Sequence, residues 1–420
     1  MIKKYLGLLS FLFIFIACND DDNNDVPNPT PDSDSITILA YLVANNNLDG
    51  FLKENIATMY DGLAEMKEPA TLLIYWDGRS KIGESENTHL ILKYQTNGKG
   101  KINGNKALNT SYTLNEVLAE AEIVKEYPSQ MSTDGNVMSN VLKDMAALSP
   151  TDKMGLIFGS HGSSWLNTIF TGSRSFGQDG SGSDNTILLT DMVQAISSVG
   201  KTFEFILFDA CYMGSAEVCY DFRNVTKYQI VSAMEIPAYG FPYSTLLKYL
   251  YQGTTNGYKQ ACQEYIDYYQ YILEEETGNA WGTVALVDSK EMQSLTNEIK
   301  EEIVKHKIDL ADYNPNVLQE YGRGGGPYIS YDLEHFIKDM NNHVLPESFK
   351  TQINKTVLYK GCLETARTSS YEDYSVDVTN YCGLGIYIPT DKRPKWNQYF
   401  KTIDWYTASG WNEVTFSWNF

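Results

Sequence analysis

Two short stretches set a reactive side chain just past a buried-looking apolar run. In "GLIFGSHGSSW" (155–165) it is His161, and in "ILFDACYMG" (206–214) it is Cys211. An imidazole titrates near neutrality and can carry protons at ambient pH. A thiolate is a strong nucleophile, so the two together could attack a carbonyl carbon and relay a proton to a leaving amine. Gly162 has no side chain to keep that carbonyl away. Its N–H, with that of Cys211, could hold the developing oxyanion. The other histidines, His89, His306, His335 and His343, sit inside strand or helix patterns or at a helix end. Cys219, Cys262, Cys362 and Cys382 are expected in the core, where most cysteines behave as small hydrophobes.

Such loops work only if the scaffold brings them to one edge. "ITILAYLV" (36–43), "TLLIYW" (71–76), "THLILKY" (88–94), "MGLIF" (154–158) and "FEFILF" (203–208) read as buried strands. Between them, Leu52, Ile56, Met59, Leu63 and Met66 recur at helical spacing, as do Val137, Val141 and Met145 before a stop at Ser149 and Pro150. Strands alternating with helices predict a parallel sheet covered on both faces. Ligand sites of such sheets lie outside the carboxyl ends of the strands. The 50 residues between His161 and Cys211 suit one crossover, which would put both side chains on adjacent strands about 4.8 Å apart. The residues after Cys211 read as a helix whose first turn would favour the thiolate.

The chain has 420 residues and a formal charge of −20, which argues against nucleic acid as a partner. "MIKKYLGLLSFLFIFIAC" has a basic start and an apolar run too short to span a membrane, and reads as a signal peptide over 1–17. Its "FIAC" ending resembles the lipobox of bacterial lipoproteins, which implies lipidation of Cys18. Residues 18–35 read as an acidic, disordered tether, and their acidic run resembles the surface-export signal of some Gram-negative lipoproteins. The expectation is an exported lipoprotein of a Gram-negative bacterium, held by its lipid at the outer membrane or cell surface, and a monomer. Five cysteines remain beyond Cys18, an odd number that leaves a free thiol within one chain. No Cys/His spacing suggests zinc, and neither a P-loop nor a GxGxxG motif is present.

At its two motifs the sequence resembles the clostripain family of cysteine peptidases, which share the caspase-haemoglobinase fold. "ITILAYLVANNNLDGF" resembles the family's opening strand and turn, "GSHGSSW" its histidine motif and "FDACYMGSAEV" its cysteine motif. "VSAMEIPAYGFPY" and "CGLGIYIP" resemble later segments, so the likeness runs from about Ile36 to Pro389. It implies a three-layer α/β/α sandwich with a mostly parallel central sheet. The sequence divides into a peptidase core over 36–250 and a smaller, largely helical part over 251–420, whose strands extend the sheet.

The resemblance further implies a dyad of Cys211 and His161 that cleaves proteins or peptides after Arg or Lys. Asp209 matches the acidic residue of the family's specificity pocket, and a carboxylate there can pair with a guanidinium or ammonium. Capping of the next helix is the other reading of Asp209. Ser232, Met234 and Glu235 are candidate pocket residues, while Ile236 stands where relatives often carry a second acid. Self-cleavage is expected after Arg174, the basic residue of "TGSRSFGQDGSGSDN" (171–185). No cofactor is expected. Calcium is used by some relatives, but Asp179 and Asp184 lack EF-hand spacing. Two alternatives stay open: a same-fold peptidase that cuts after Asn or Asp, and a catalytically idle surface-binding lipoprotein.

Overall fold

Alternating side chains of a strand point to opposite faces, so a strand buried on both sides must be apolar throughout. The first strand obeys this: Ile38, Ala40, Leu42 and Ala44 enter one core, and Leu39, Tyr41 and Val43 enter another. The computed structural model describes residues 35–420 apart from 83–84, 86, 109–111, 167–175, 181–184, 276–280, 323–329, 364–375 and 419–420. The chain opens with β1 (Thr37–Ala44), α1 (Asp49–Ala64), β2 (Ala70–Gly78) and β3 (His89–Thr96). Short β4 (Lys101–Ile102) and β5 (Asn105–Lys106), α2 (Leu114–Ala119) and β6 (Glu122–Glu126) complete one edge. Then come α3 (Gly135–Leu148), β7 (Met154–Gly159), α4 (Leu189–Ser197), β8 (Phe203–Asp209), α5 (Ala216–Phe222) and β9 (Thr226–Val231). Helices α6 (Tyr243–Leu250) and α7 (Thr255–Glu275) precede β10 (Thr283–Asp288) and α8 (Met292–Lys305).

Among the described residues, eleven strands form the central sheet. Its middle is five parallel strands in the order β9-β8-β7-β1-β2. Antiparallel strands extend both sides: β3 with its hairpin and β6 beyond β2, and β10 beyond β9. β11 (Glu320–Tyr321), β12 (Ser330–Asp332), β13 (Val357–Cys362) and β14 (Gly385–Ile386) follow. β13 caps the far side of the central sheet, whereas β11, β12 and β14 form a separate three-stranded sheet. The run "CGLGIYIP" therefore serves the small sheet and not the large one.

Helices α1, α6 and α7 cover one face with Leu52, Ile56, Leu246 and Tyr258, and α3, α4, α5 and α8 cover the other with Val141, Met192, Val218 and Ile299. This is the three-layer α/β/α sandwich with a mostly parallel sheet. All the described residues fall within one compact unit. No helix among them is long and apolar enough to cross a membrane.

Candidate active site

β7 and β8 run parallel and hydrogen-bonded, with Gly159 opposite Asp209. His161 and Cys211 each lie two residues beyond that last pair. Ser160 donates its N–H to the Asp209 carbonyl at 3.4 Å, which carries the pairing one residue past the strand end. At Gly162 a Cβ would stand 2.5 Å from the Cys211 carbonyl oxygen and 3.1 Å from its nitrogen, so only glycine lets the two backbones touch here. Both loops thus leave the same edge in contact. Among the described residues, no backbone carbonyl accepts the Gly162 N–H.

The thiol is not at the start of a helix. α5 begins only at Ala216, with Ser215 as its N-cap, so the helix dipole expected beside Cys211 is set back by a turn. Tyr212 adopts a φ of 63°, a strained left-handed conformation for a bulky residue, and this turns the chain sharply after the thiol. The turn is tied down across the sheet: Tyr212 N–H bonds the Met234 carbonyl at 2.9 Å and Gly214 N–H the Ser232 carbonyl at 2.7 Å. The small sheet buttresses it through Gly385 N–H to the Gly214 carbonyl at 2.9 Å. Cys211 Sγ itself accepts a hydrogen bond from the Ile236 N–H at 3.4 Å. A backbone donor thus meets the sulfur where a helix terminus was expected.

On the imidazole side, His161 Nε2 lies 2.7 Å from Asn47 Oδ1. Asn47 belongs to the turn after β1, the strand on the other side of β7. Its neighbours anchor that turn. Asn46 Nδ2 donates to the carbonyls of Val43 at 2.9 Å and Gln178 at 2.8 Å, and Asn45 Nδ2 to Asp179 Oδ1 at 2.9 Å. The segment after the histidine returns to close the edge, where Gly177 N–H bonds the His161 carbonyl at 2.9 Å.

Asp209 is 7% exposed. It does not cap α5. Its Oδ2 accepts from Asn55 Nδ2 at 3.2 Å, Phe241 N–H at 3.2 Å and the Tyr243 hydroxyl at 2.9 Å, all on the α1 and α6 side, while Oδ1 takes none of these bonds. Burial pushes its pKa up to about 6, and the bonds from Tyr243 and Phe241 hold it from rising further. Oδ2 thus ties Asp209 to α1 and α6 through all three of these bonds.

The other sequence candidates scatter in role. Ser232 is fully buried, with its hydroxyl 2.7 Å from that of Thr283, and Met234 is buried against Tyr321 and Tyr381. Glu235 is half-buried and its carbonyl accepts from Trp281 Nε1 at 3.1 Å. Asp179 is committed inside the fold, taking the Ser132 N–H at 2.7 Å. Arg174, Asp184 and Cys18 lie outside the described residues. Cys219, Cys262 and Cys382 are buried free thiols, and Cys362 is half-buried. No cluster of His, Cys, Asp or Glu that could hold a metal ion occurs among the described residues. Sequence reasoning missed Asn47 and the Ile236 N–H; the triple asparagine of "VANNNLDG" was the available signal for the first.

The family model described as the clostripain family matches residues 40–418. No curated protein matches the chain. Among solved structures, a secreted C11 cysteine protease from Bacteroides thetaiotaomicron, in complex with an irreversible peptide inhibitor, is similar at a TM-score of 0.71 and 24% identity. That likeness covers 90% of this chain and 100% of the other. An inactive zymogen C11 protease from Parabacteroides distasonis is similar at a TM-score of 0.69 and 24% identity, over 91% of this chain and 99% of that one. At these identities the likeness is one of fold.

Proposed function

Because the chain belongs to the clostripain family of cysteine proteases, we propose that it cuts peptide bonds after arginine or lysine, with Cys211 as nucleophile and His161 as acid and base. The observation that carries this reading is the contact between Gly162 and the Cys211 backbone at the joined ends of β7 and β8. The Cys211 sulfur adds to the scissile carbonyl carbon, and the carbonyl electrons move onto oxygen, facing the Gly162 and Cys211 N–H groups. His161 gives its proton to the leaving amine as the C–N bond breaks, leaving a thioester on Cys211. Water then attacks the thioester with His161 as base, which releases the acid and restores the thiol. These steps use no metal; calcium, which some relatives use, is tested by turnover with and without EGTA, where unchanged rates support a cofactor-free enzyme and a loss restored by calcium replaces that reading.

Preference for a basic residue is supported by Asp209, whose Oδ1 can meet a guanidinium or ammonium. Ile236 in place of a second acid leaves one charge in the pocket unless Glu235 supplies another. A panel of fluorogenic peptides ending in Arg, Lys, Asn, Asp or norleucine decides it: Arg and Lys fastest supports the reading, and Asn or Asp fastest replaces it. Labelling of Cys211 by a lysyl or arginyl acyloxymethyl ketone excludes an idle binding protein.

Maturation by cleavage after Arg174 belongs to the same reading. Intact masses of the active chain and of Cys211→Ala test it, since two unclipped chains would remove the idea. The secreted relative supports export of this chain. Lipid anchoring through Cys18 predicts metabolic palmitate labelling that Cys18→Ser abolishes. The peptidase is taken to act as a monomer, which light scattering checks.

A further inference from the structure

We propose that Asn47 is a positioning residue for His161, a third side chain that fixes which ring nitrogen exchanges the proton. The proposal rests on the reading of Cys211 and His161 given above. Three adjacent parallel strands, in the order β8-β7-β1, end at the same edge. Cys211 follows the first, His161 the second and Asn47 the third, so thiol, imidazole and amide stand in that order along the rim.

The chemistry of the 2.7 Å contact sets the tautomer. An amide oxygen only accepts, so Nε2 carries the hydrogen. The neutral ring then keeps its lone pair on Nδ1, which becomes the nitrogen that takes the thiol proton and later gives it to the leaving amine. In the imidazolium both nitrogens donate, so the bond to Asn47 holds through the whole cycle. A neutral amide orients the ring without the upward pKa push that a carboxylate would give.

The turn that presents Asn47 is built to hold still. Asn46 Oδ1 accepts the Leu48 N–H at 2.8 Å, its Nδ2 reaches the Gln178 carbonyl at 2.8 Å, and Gly180 N–H bonds the Asn45 carbonyl at 2.8 Å. Asn47 itself is exposed, so its side chain has little part in the core. A change there reads out on chemistry and not on folding.

The test compares full-length wild type, Asn47→Ala, Asn47→Asp and His161→Ala. Four readouts are taken: kcat and KM on an arginyl peptide from pH 5 to 10, alkylation of Cys211 by iodoacetamide over the same range, and the melting temperature. For Asn47→Ala the expectation is a kcat lower by about 10- to 100-fold, KM within about twofold, an unchanged melting temperature and a shifted pH limb. Asn47→Asp restores part of kcat and moves the upper limb to higher pH, because a carboxylate favours imidazolium. An Asn47→Ala enzyme with wild-type kcat and pH profile, beside an inactive His161→Ala, overturns this proposal alone. A fully active His161→Ala overturns the dyad as well.

Discussion

Gly159 stands opposite Asp209 in the register of β7 and β8, and from that pair each chain runs two residues further, to His161 and to Cys211. Parallel register thus does the positioning: residues equally far past one ladder rung leave the sheet side by side. The same rung ends on Asp209, so the group assigned to substrate recognition and the group assigned to chemistry share one rigid origin. Rigid strands hold such a constellation better than loops alone would.

The contact between Gly162 and the Cys211 backbone makes Gly162 a sensitive position of the rim. Gly162→Ala would put a Cβ 2.5 Å from the Cys211 carbonyl oxygen and 3.1 Å from both Cys211 N and Ala210 Cβ. One backbone must move, and displacements near 1 Å cost about 100-fold in rate. The expectation is kcat/KM down by about that factor with an unchanged far-ultraviolet circular dichroism spectrum. Wild-type turnover would mean that the contact does not shape the site.

Asp209 trades stability for recognition. Its folded pKa of about 6 lies above the roughly 3.9 of an unfolded Asp. The folded state therefore holds a proton longer, so this contribution to stability is complete below about pH 4 and is lost as pH rises towards 6. Asp209→Asn removes the cost of an ionised buried carboxylate and is expected to melt higher at pH 7. It is also expected to lose most of the preference for arginyl over norleucyl peptides. In wild type, KM for an arginyl peptide should rise as pH falls below about 6, when the carboxylate is neutralised. A variant that melts lower and still prefers arginine would contradict both halves.

Much of the scaffold was legible because parallel strands are apolar on both faces. β1 covers nearly the span read from "ITILAYLV", and Leu52, Ile56, Met59 and Leu63 are all buried along α1. The edge carrying His161 and Cys211 could be placed because both strands ended in recognisable runs. What escaped depends on contacts distant in sequence. The start of α5 is delayed because Tyr212 gives its N–H to Met234, 22 residues on, and no local pattern encodes that bond. The Ile236 N–H at the thiol is a backbone donor, invisible to residue type. Asn47 reads as ordinary turn chemistry until the neighbouring strand brings His161 to it.

Ser232 separates scaffold from pocket wall. Its hydroxyl is fully buried between Thr283 Oγ1 at 2.7 Å and the Met234 N–H at 3.3 Å. Ser232→Ala removes both bonds while the Met234 N–H keeps Thr283 Oγ1 at 3.3 Å, so the loss is about 1 kcal/mol. A lower urea midpoint with unchanged preference among arginyl, lysyl and norleucyl peptides is expected. A change in preference without loss of stability would return Ser232 to the pocket.

Asp77 offers a second pH dependence, away from the catalytic edge. It is fully buried at the end of β2, and among the described residues neither carboxyl oxygen has a well-formed hydrogen bond. His89 Nε2 stands 3.3 Å away, but it also meets the Gln130 carbonyl at 2.9 Å, which takes its hydrogen. Burial lowers the His89 pKa, which disfavours a cation beside the acid. Burial first, and the nearby Asp179 carboxylate second, push Asp77 well above the usual carboxylate range. The native state then keeps a proton that the unfolded chain releases above about pH 4, so stability falls as pH rises from there until Asp77 ionises in the fold. Asp77→Asn keeps the shape of the protonated acid and removes the titration. Urea midpoints at pH 5, 7 and 9 should show the advantage of the variant growing with pH. Parallel curves for the two proteins would mean that Asp77 is already ionised in the folded state.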